Sequence, residues 1–433
     1  MKQKASTKDP ATTAEWTIMV YMAGDNDLDD FGQSDVMEMK KTGSSDKIHI
    51  LVQRDTAAAG VPTVRYRARK GTSLNDDIVE KLGETNCGDP KVLADFIAWG
   101  MTNYPARRTM AVLWNHGNGW DDTDVYHESK RRSLNPPPER PAGSSSLRRS
   151  GMPGRGSIPT GFIKRSVVGR RFRGSFFMTA FQLDGKRRAI AFDDDAQDFL
   201  DNVEMKKVFD AAVKKAGKKF DVIGMDACLM AMLETGVQVE SAANVFCGSE
   251  QTEPGAGWPY DRILKALAAK PTMDGKALAS LIAKEYSASY PKSEATTQSA
   301  LDLTVIGALR KATDALGAQL AKGLSSKDLS VRGAVGVARA QSQGYEHPDY
   351  IDLWDFTANL VKYLPATAPA VKAVQSAISK AVLANYAPNP SVNRSHGISI
   401  YLPAGKSSKL YDSLVFASGG WAKFVKAWAP VKP

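Results

Sequence analysis

The sequence predicts an α/β protein built on a mostly parallel central sheet with helices on both faces. Three observations carry this. Short apolar runs alternate with helical periodicity through the first half of the chain, an order that joins parallel strands by crossover helices. Two of those runs, "VLWNH" and "VIGMDAC", end on a reactive side chain, and ligands of open α/β sheets gather at the carboxyl ends of strands. The 433 residues, 43% hydrophobic, suffice for a core that needs no disulfide or metal staple.

The elements follow in order. Residues 1–15 form a polar tail without a signal peptide, so the default expectation is a cytoplasmic protein, the alternative being an exported one whose signal is absent from this sequence. "WTIMVYMA" (Trp16 to Ala23) is a buried strand, followed by the polar turn "GDNDLDD" and a helix through Lys41. "KIHILVQ" (Lys47 to Gln53) and "TVRYRAR" (Thr63 to Arg69) are further strands. The second alternates, which suits an edge. "DPKVLADFIAWGMTNYP" is an amphipathic helix with Asp89 as N-cap and Pro90 in its first turn. "TMAVLWN" (Thr109 to Asn115) is a strand that delivers His116.

Further on, "GSFFMTAFQLDGKRRAIAF" reads as a hairpin around Asp184-Gly185. A helix "NVEMKKVFDAAVKKAG" leads to the strand Phe220 to Met225, a helix from about Leu229 and the strand "NVFCGSE". From Pro254 the chain is helix-rich, with helices at Tyr260 to Ala269, Gly275 to Tyr290 and Asp349 to Leu364, interrupted by "SALDLTVI" and "HGISIYLP". The expected organisation is a core over residues 16–260 and a helix-rich C-terminal subdomain over 261–433 that adds strands to it.

The net charge of +10 is local. Lys130 to Arg188 holds fifteen Lys or Arg against Glu139 and Asp184, a net +13, so the remainder sums to −3. Residues 130–173, rich in Pro, Gly and Ser, read as a disordered insertion. Without regular aromatic interleaving or a nucleic-acid motif, nucleic acid is not the expected partner. No run of about 20 apolar residues is present, so no membrane span is expected. Three cysteines, Cys87, Cys228 and Cys247, lack CxxC spacing, which argues against a disulfide framework and against a zinc site.

The chemistry concentrates at two strand ends. His116 is followed by Gly117, and Asp226-Ala227-Cys228 leads into the next helix. A thiol at a helix amino-terminus beside a histidine becomes a thiolate near neutral pH, provided the two strands are neighbours. Acyl transfer also needs N–H donors aimed at an oxyanion, and Gly117 with Cys228 is the natural pair. Taken alone, Cys228 reads first as a small core hydrophobe and His116 as an ordinary histidine. Cys247 lies inside a strand and reads as core, and Cys87 sits in a turn. His49, His127, His347 and His396 accompany no nucleophile. Trp114, Trp120 and Trp258 either wall the site or pack the core.

The strings "WTIMVYMAGDNDLDD", "VLWNHGNGW", "VIGMDACLMAMLET" and "SEQTEPGAGWPY" closely resemble the clostripain family, peptidase family C11 of the clan CD cysteine peptidases. The match runs from Trp16 to about Tyr260 and continues more weakly through "YIDLWDF" and "GISIYLP". This resemblance implies a caspase-like α/β/α sandwich, His116 as general base and acid, Cys228 as nucleophile, and an oxyanion hole of Gly117 and Cys228 N–H groups. It also implies protein or peptide substrates cut after Arg or Lys, which requires acid in the pocket. Asp226 is the first candidate, with helix capping as its other reading; Glu250 and Glu253 are second candidates.

Family members mature by self-cleavage between the histidine and cysteine strings, where this chain carries "KRR", "RR", "KR", "RR" and "KRR"; the expectation is a self-processed zymogen. No cofactor is required. Some relatives depend on calcium, and four aspartates lie within Asp25 to Asp30, but an EF-hand loop counted from Asp25 would need glycine where Asp30 stands and glutamate where Val36 stands. Turn and capping roles are the first reading there, with calcium as an optional ion. The alternatives to a peptidase are a catalytically weak caspase-fold scaffold and a nucleic-acid binder acting through the basic loop.

Overall fold

The computed structural model describes residues 13–58, 60–121, 190–326 and 329–428. The basic insertion 130–173, the turn at Asp184-Gly185 and His127 lie outside the described residues. Strands β1 (Ala14–Met22), β2 (Ile48–Arg54), β3 (Thr63–Arg67), β4 (Ile78–Gly83) and β5 (Ala106–Trp114) come first. β6 (Ile190–Asp193), β7 (Asp198–Leu200), β8 (Phe220–Asp226) and β9 (Ala243–Gly248) follow. β10 (Gln298–Asp302), β11 (Tyr350–Asp352), β12 (Val382–Tyr386) and β13 (Ser399–Tyr401) lie in the C-terminal half.

A nine-stranded sheet has the order β12-β10-β9-β8-β5-β1-β2-β3-β4. Its centre, β9-β8-β5-β1-β2, is parallel throughout, and both margins are antiparallel. Side chains alternate between the faces, as a pleated strand requires. In β1, Trp16, Ile18, Val20 and Met22 pack with Val36 and Met39 of the helix Asp29–Thr42 and with Ile263 and Ile282 of the helices Tyr260–Ala269 and Gly275–Ser289. Met19 and Tyr21, between them, join Phe96 of the helix Pro90–Asn103 and Phe209 of the helix Asn202–Ala216. The fold is therefore an α/β/α sandwich. The C-terminal helices are continuous with it, since Leu316, Phe356 and Trp421 belong to the same cluster as Met19 and Ile223.

Local chemistry explains the helix ends that hold the site in place. The Asp89 side chain accepts the Lys91 N–H, with Pro90 in the first turn. Asp201 and Glu204 form a reciprocal capping box, and Gly217 closes that helix in a left-handed conformation.

Four expectations are corrected. β4 is an additional strand that takes the sheet edge and makes β3 internal; its alternating exposure, with Glu80 and Lys81 in the ladder, is the usual protection of an edge. No helix starts at Leu229. That residue has φ +64°, Ala231 N–H donates to the Ser249 carbonyl at 2.8 Å, and the helix begins only at Leu233. The expected helix from Asp349 is β11 followed by a helix Leu353–Tyr363, because Asp352 caps it through the Asp355 N–H. Finally, "GISIYLP" forms β13, which pairs with β11 in a separate two-stranded sheet, whereas β12 is the C-terminal strand that extends the main sheet beyond β10.

Candidate active site

β5 and β8 are adjacent and parallel, with Trp114 opposite Asp226. His116 and Cys228 thus leave the sheet at the same offset, each two residues beyond a paired position. Asn115 N–H donates to the Asp226 carbonyl and keeps the two chains together past the last ladder pair. His116, Cys228, Asp226 and Glu253 line one cavity of about 20 Å³, with Trp114 and Gly257 also on its wall. That is room for about one water molecule. A cavity of about 460 Å³ lies at the opposite end of β5, against Ala106 and Thr109, between the helices Pro90–Asn103 and Asn202–Ala216; none of the chemistry-bearing residues above reaches it.

Gly117 sits against the segment that carries Cys228. A Cβ at this position would collide with the Cys228 carbonyl oxygen and lie 3.0 Å from the Ala227 methyl group, so only glycine allows this approach. Cys228 is 2% exposed, and the Glu253 N–H donates to its Sγ at 3.2 Å. Burial pushes the thiol up to about 12; the backbone N–H groups of Glu253, Gly117 and Cys228 oppose that rise and the Glu253 carboxyl adds to it. The expectation of a resting thiolate is corrected. The helix that was to supply a positive end starts five residues downstream of Cys228, and the Glu253 loop seals the sulfur from water.

His116 Nε2 lies 2.7 Å from Asp27 Oδ1. Sequence reasoning missed this partner. Asp27 belongs to the turn read as capping or calcium-binding, and the only signal was a carboxylate just past a neighbouring strand. The aspartates of that turn do not converge. Asp29 pairs with Arg54 and accepts from Thr56, while Asp25 is buried near Asp193.

The acidic candidates separate. Asp226 accepts the Trp258 N–H at 3.1 Å and the Tyr260 hydroxyl at 2.8 Å, beneath Cys228. Glu253 is buried beside it, with Gln298 and Trp258 facing its carboxyl; burial, then the Asp226 charge, push its pKa well above the carboxylate range. Glu250 is engaged elsewhere, accepting from the Tyr345 hydroxyl and the Gly397 N–H, and it does not line the cavity. Trp114 lines the site, whereas Trp120 packs on Tyr401 and Tyr411 and Trp258 fills the core under Gly224.

A parallel sheet sandwiched between helices, with histidine and cysteine at adjacent strand ends, defines the class of caspase-like cysteine peptidases. The sequence pattern of the clostripain family, Peptidase_C11, matches residues 20–133 and 174–428. The chain belongs to this family and is a cysteine peptidase, a hydrolase of peptide bonds. A solved secreted C11 cysteine protease from Bacteroides thetaiotaomicron, in complex with an irreversible peptide inhibitor, is 19% identical over 94% of this chain and 99% of its own, with a TM-score of 0.60. An inactive zymogen C11 protease from Parabacteroides distasonis is likewise 19% identical over 94% and 98%, with a TM-score of 0.63. No curated protein matches. Among the described residues no helix is long and apolar enough to cross a membrane.

Proposed function

We propose that the chain is an endopeptidase that cuts after Arg or Lys, with Cys228 as nucleophile and His116 as general base and acid. The observation that carries this is the equal offset of His116 and Cys228 beyond the Trp114 and Asp226 pair, on one cavity. His116 takes the Cys228 proton as Sγ attacks the scissile carbonyl, and returns it to the leaving amine as the C–N bond breaks; water then hydrolyses the thioester. The Gly117 and Cys228 N–H groups receive the oxyanion. Asp27, through Oδ1 at Nε2, holds the imidazole and fixes its tautomer.

Asp226 and Glu253 form the receptor for the basic side chain. The buried Glu253 carboxyl, raised by desolvation and by the Asp226 charge, is a site where a guanidinium or ammonium would offset the desolvation cost, and a bound cation would draw Glu253 into its ionised form. A cavity of about 20 Å³ cannot hold an arginine side chain, so the loop Glu253 to Gly257 moves outward when substrate binds. This closed arrangement supports the reading of a precursor activated by cuts in Lys130 to Arg188, as does the zymogen state named for the Parabacteroides relative.

The test is a fluorogenic panel with Arg, Lys, Asp or Asn before the scissile bond, run on wild type and Cys228→Ala. Hydrolysis after Arg or Lys alone, and only with Cys228 present, is the expected result. Turnover after Asp or Asn, or turnover that survives the substitution, overturns the assignment. For self-processing, a Cys228→Ala protein clipped in Lys130 to Arg188 as fast as wild type sinks the autocatalytic route.

A further inference from the structure

Outside the cavity of His116 and Cys228, one buried cluster has no part in the proposed chemistry. Asp55, Cys87 and Asp193 each offer a donor atom, a carboxylate oxygen or the thiol sulfur, and these three atoms lie within 4.8 Å of one another. Asp25 adds a third carboxylate against Asp193. All four side chains are at most 2% exposed, and they arrive from four places: the end of β1, the end of β2, the loop before the helix Pro90–Asn103, and β6.

Acidic residues in a cluster usually settle their charge with lysine, arginine or backbone donors. Here the backbone supplies a partial set. The Cys87 and Ala196 N–H groups donate to the two oxygens of Asp193 at 2.8 and 2.7 Å. The Asp195 N–H donates to Asp25 Oδ2 at 3.2 Å, and the Thr56 N–H and Thr63 hydroxyl both donate to Asp55 Oδ1. Asp55 Oδ2 is different: it is buried and has no hydrogen-bond partner. Among the described residues, no lysine, arginine or histidine forms an ion pair with Asp25, Asp55 or Asp193.

We propose that Asp55, Asp193 and Cys87, with Asp25 adjoining Asp193, form a site for one divalent transition-metal ion of the zinc type. Sulfur decides the class. Calcium and magnesium take oxygen ligands alone, whereas two or three carboxylates with one thiolate suit a borderline ion in a small, four-coordinate site. On binding, Cys87 Sγ gives up the hydrogen bond it donates to the Phe192 carbonyl at 3.3 Å, its proton leaves to solvent, and the sulfur bonds the metal. Asp55 Oδ2 gains the partner it lacks.

The position gives the ion a consequence. Asp193 ends β6, the first described strand after the basic segment, and Ile190 of that strand bridges Gly117. Asp25 lies two residues before Asp27, the partner of His116. A metal here ties the segment following the processing region to the turn that orients the histidine. The spacing of the cysteines argued against a zinc site because a single cysteine with three distant aspartates leaves no sequence pattern.

The experiment uses the full chain carrying Cys228→Ala, which removes the competing thiol at the active site and prevents self-cleavage. It is titrated with Co²⁺ as a visible substitute and, separately, with Zn²⁺ and Ca²⁺ by calorimetry. One equivalent of Co²⁺ with a thiolate-to-cobalt charge-transfer band, displaced by Zn²⁺, is the expected result, and the added Cys87→Ser change abolishes the band. Asp55→Asn weakens binding at least tenfold. Absence of the band in the Cys228→Ala protein itself overturns the proposal without relying on any variant of the cluster folding. So does a band unchanged by Cys87→Ser, or stoichiometric Ca²⁺ binding without Co²⁺ binding.

Discussion

Cys228 and Cys87 are equally buried, each 2% exposed, and burial raises both thiols. What surrounds them differs in its balance of donors and carboxylates. At Cys228 the N–H donors of Glu253, Gly117 and Cys228 itself favour the thiolate, against the single opposing carboxyl of Glu253. At Cys87 the carboxylates of Asp193, Asp55 and Asp25 oppose it. Burial is therefore no guide to the role of a cysteine. The donors around the sulfur say more, since N–H groups stabilise the thiolate that the proposed nucleophile needs and carboxylates oppose one until a cation joins them. Cys247, within β9, donates to the Ala279 carbonyl at 3.8 Å, and burial, then the Glu253 and Asp226 charges, push its thiol up.

The largest way to break this comparison is to delete the proposed nucleophile. Cys228→Ala should lower kcat/KM by at least roughly 10⁴-fold, while Cys247→Ala leaves turnover unchanged and lowers Tm; comparable activity losses in the two would erase the distinction. Next in size is alkylation. With the Cys228 thiol pushed up to about 12, the resting thiolate fraction at pH 8 is roughly 10⁻⁴, against about a quarter for a free cysteine. Iodoacetamide should therefore label Cys228 roughly a thousandfold more slowly than free cysteine, and a rate near that of free cysteine would mean that the Glu253 loop does not seal the sulfur.

Gly117→Val should reduce kcat by roughly 10²–10³-fold, the usual loss when an oxyanion donor is displaced; full activity would show that the collision with Cys228 is easily relieved. Asp27→Asn removes the carboxylate at Nε2 and should lower kcat by about tenfold with KM unchanged, less than the full worth of an acid–base group. A change in KM alone would place Asp27 in substrate binding instead.

The smallest effect lies away from the site. Glu234, which accepts from the Tyr401 N–H and the Tyr411 hydroxyl, is pushed up to about 7 by burial. Its folded form holds a proton that the unfolded chain has already lost, so its contribution is complete below about pH 4.5 and declines as the pH rises toward 7. Glu234→Gln should flatten the fall in Tm across that window, and an unchanged slope would assign the pH dependence to other groups such as Glu253.

Much of the fold could be read along the chain because β-strand and helix periodicities are local. The runs that became β1, β2, β5 and β8, and the Asp89-Pro90 helix start, needed only neighbouring residues to be recognised. β4 escaped because six residues of alternating exposure resemble a loop, and Leu229 misled because the segment after Cys228 has helical apolar spacing yet hydrogen-bonds to Ser249 and Gln251. At the site, His116, Gly117, Asp226 and Cys228 stood out as strand-end residues in recognisable strings. Asp27 and the distinction between Glu253 and Glu250 did not, since each depends on which loop lies over which strand end.

The sequence alone thus determined the alternation that builds a parallel sheet, the family, and the two strands that carry reactive ends. Tertiary structure decided that β5 and β8 are neighbours, that Asp27 meets His116, that Cys228 is closed off as a thiol, and that Asp55, Cys87 and Asp193 converge. The physical reason is range: periodicity is set by covalent neighbours, whereas desolvation and charge at a site are set by groups brought together from distant parts of the chain.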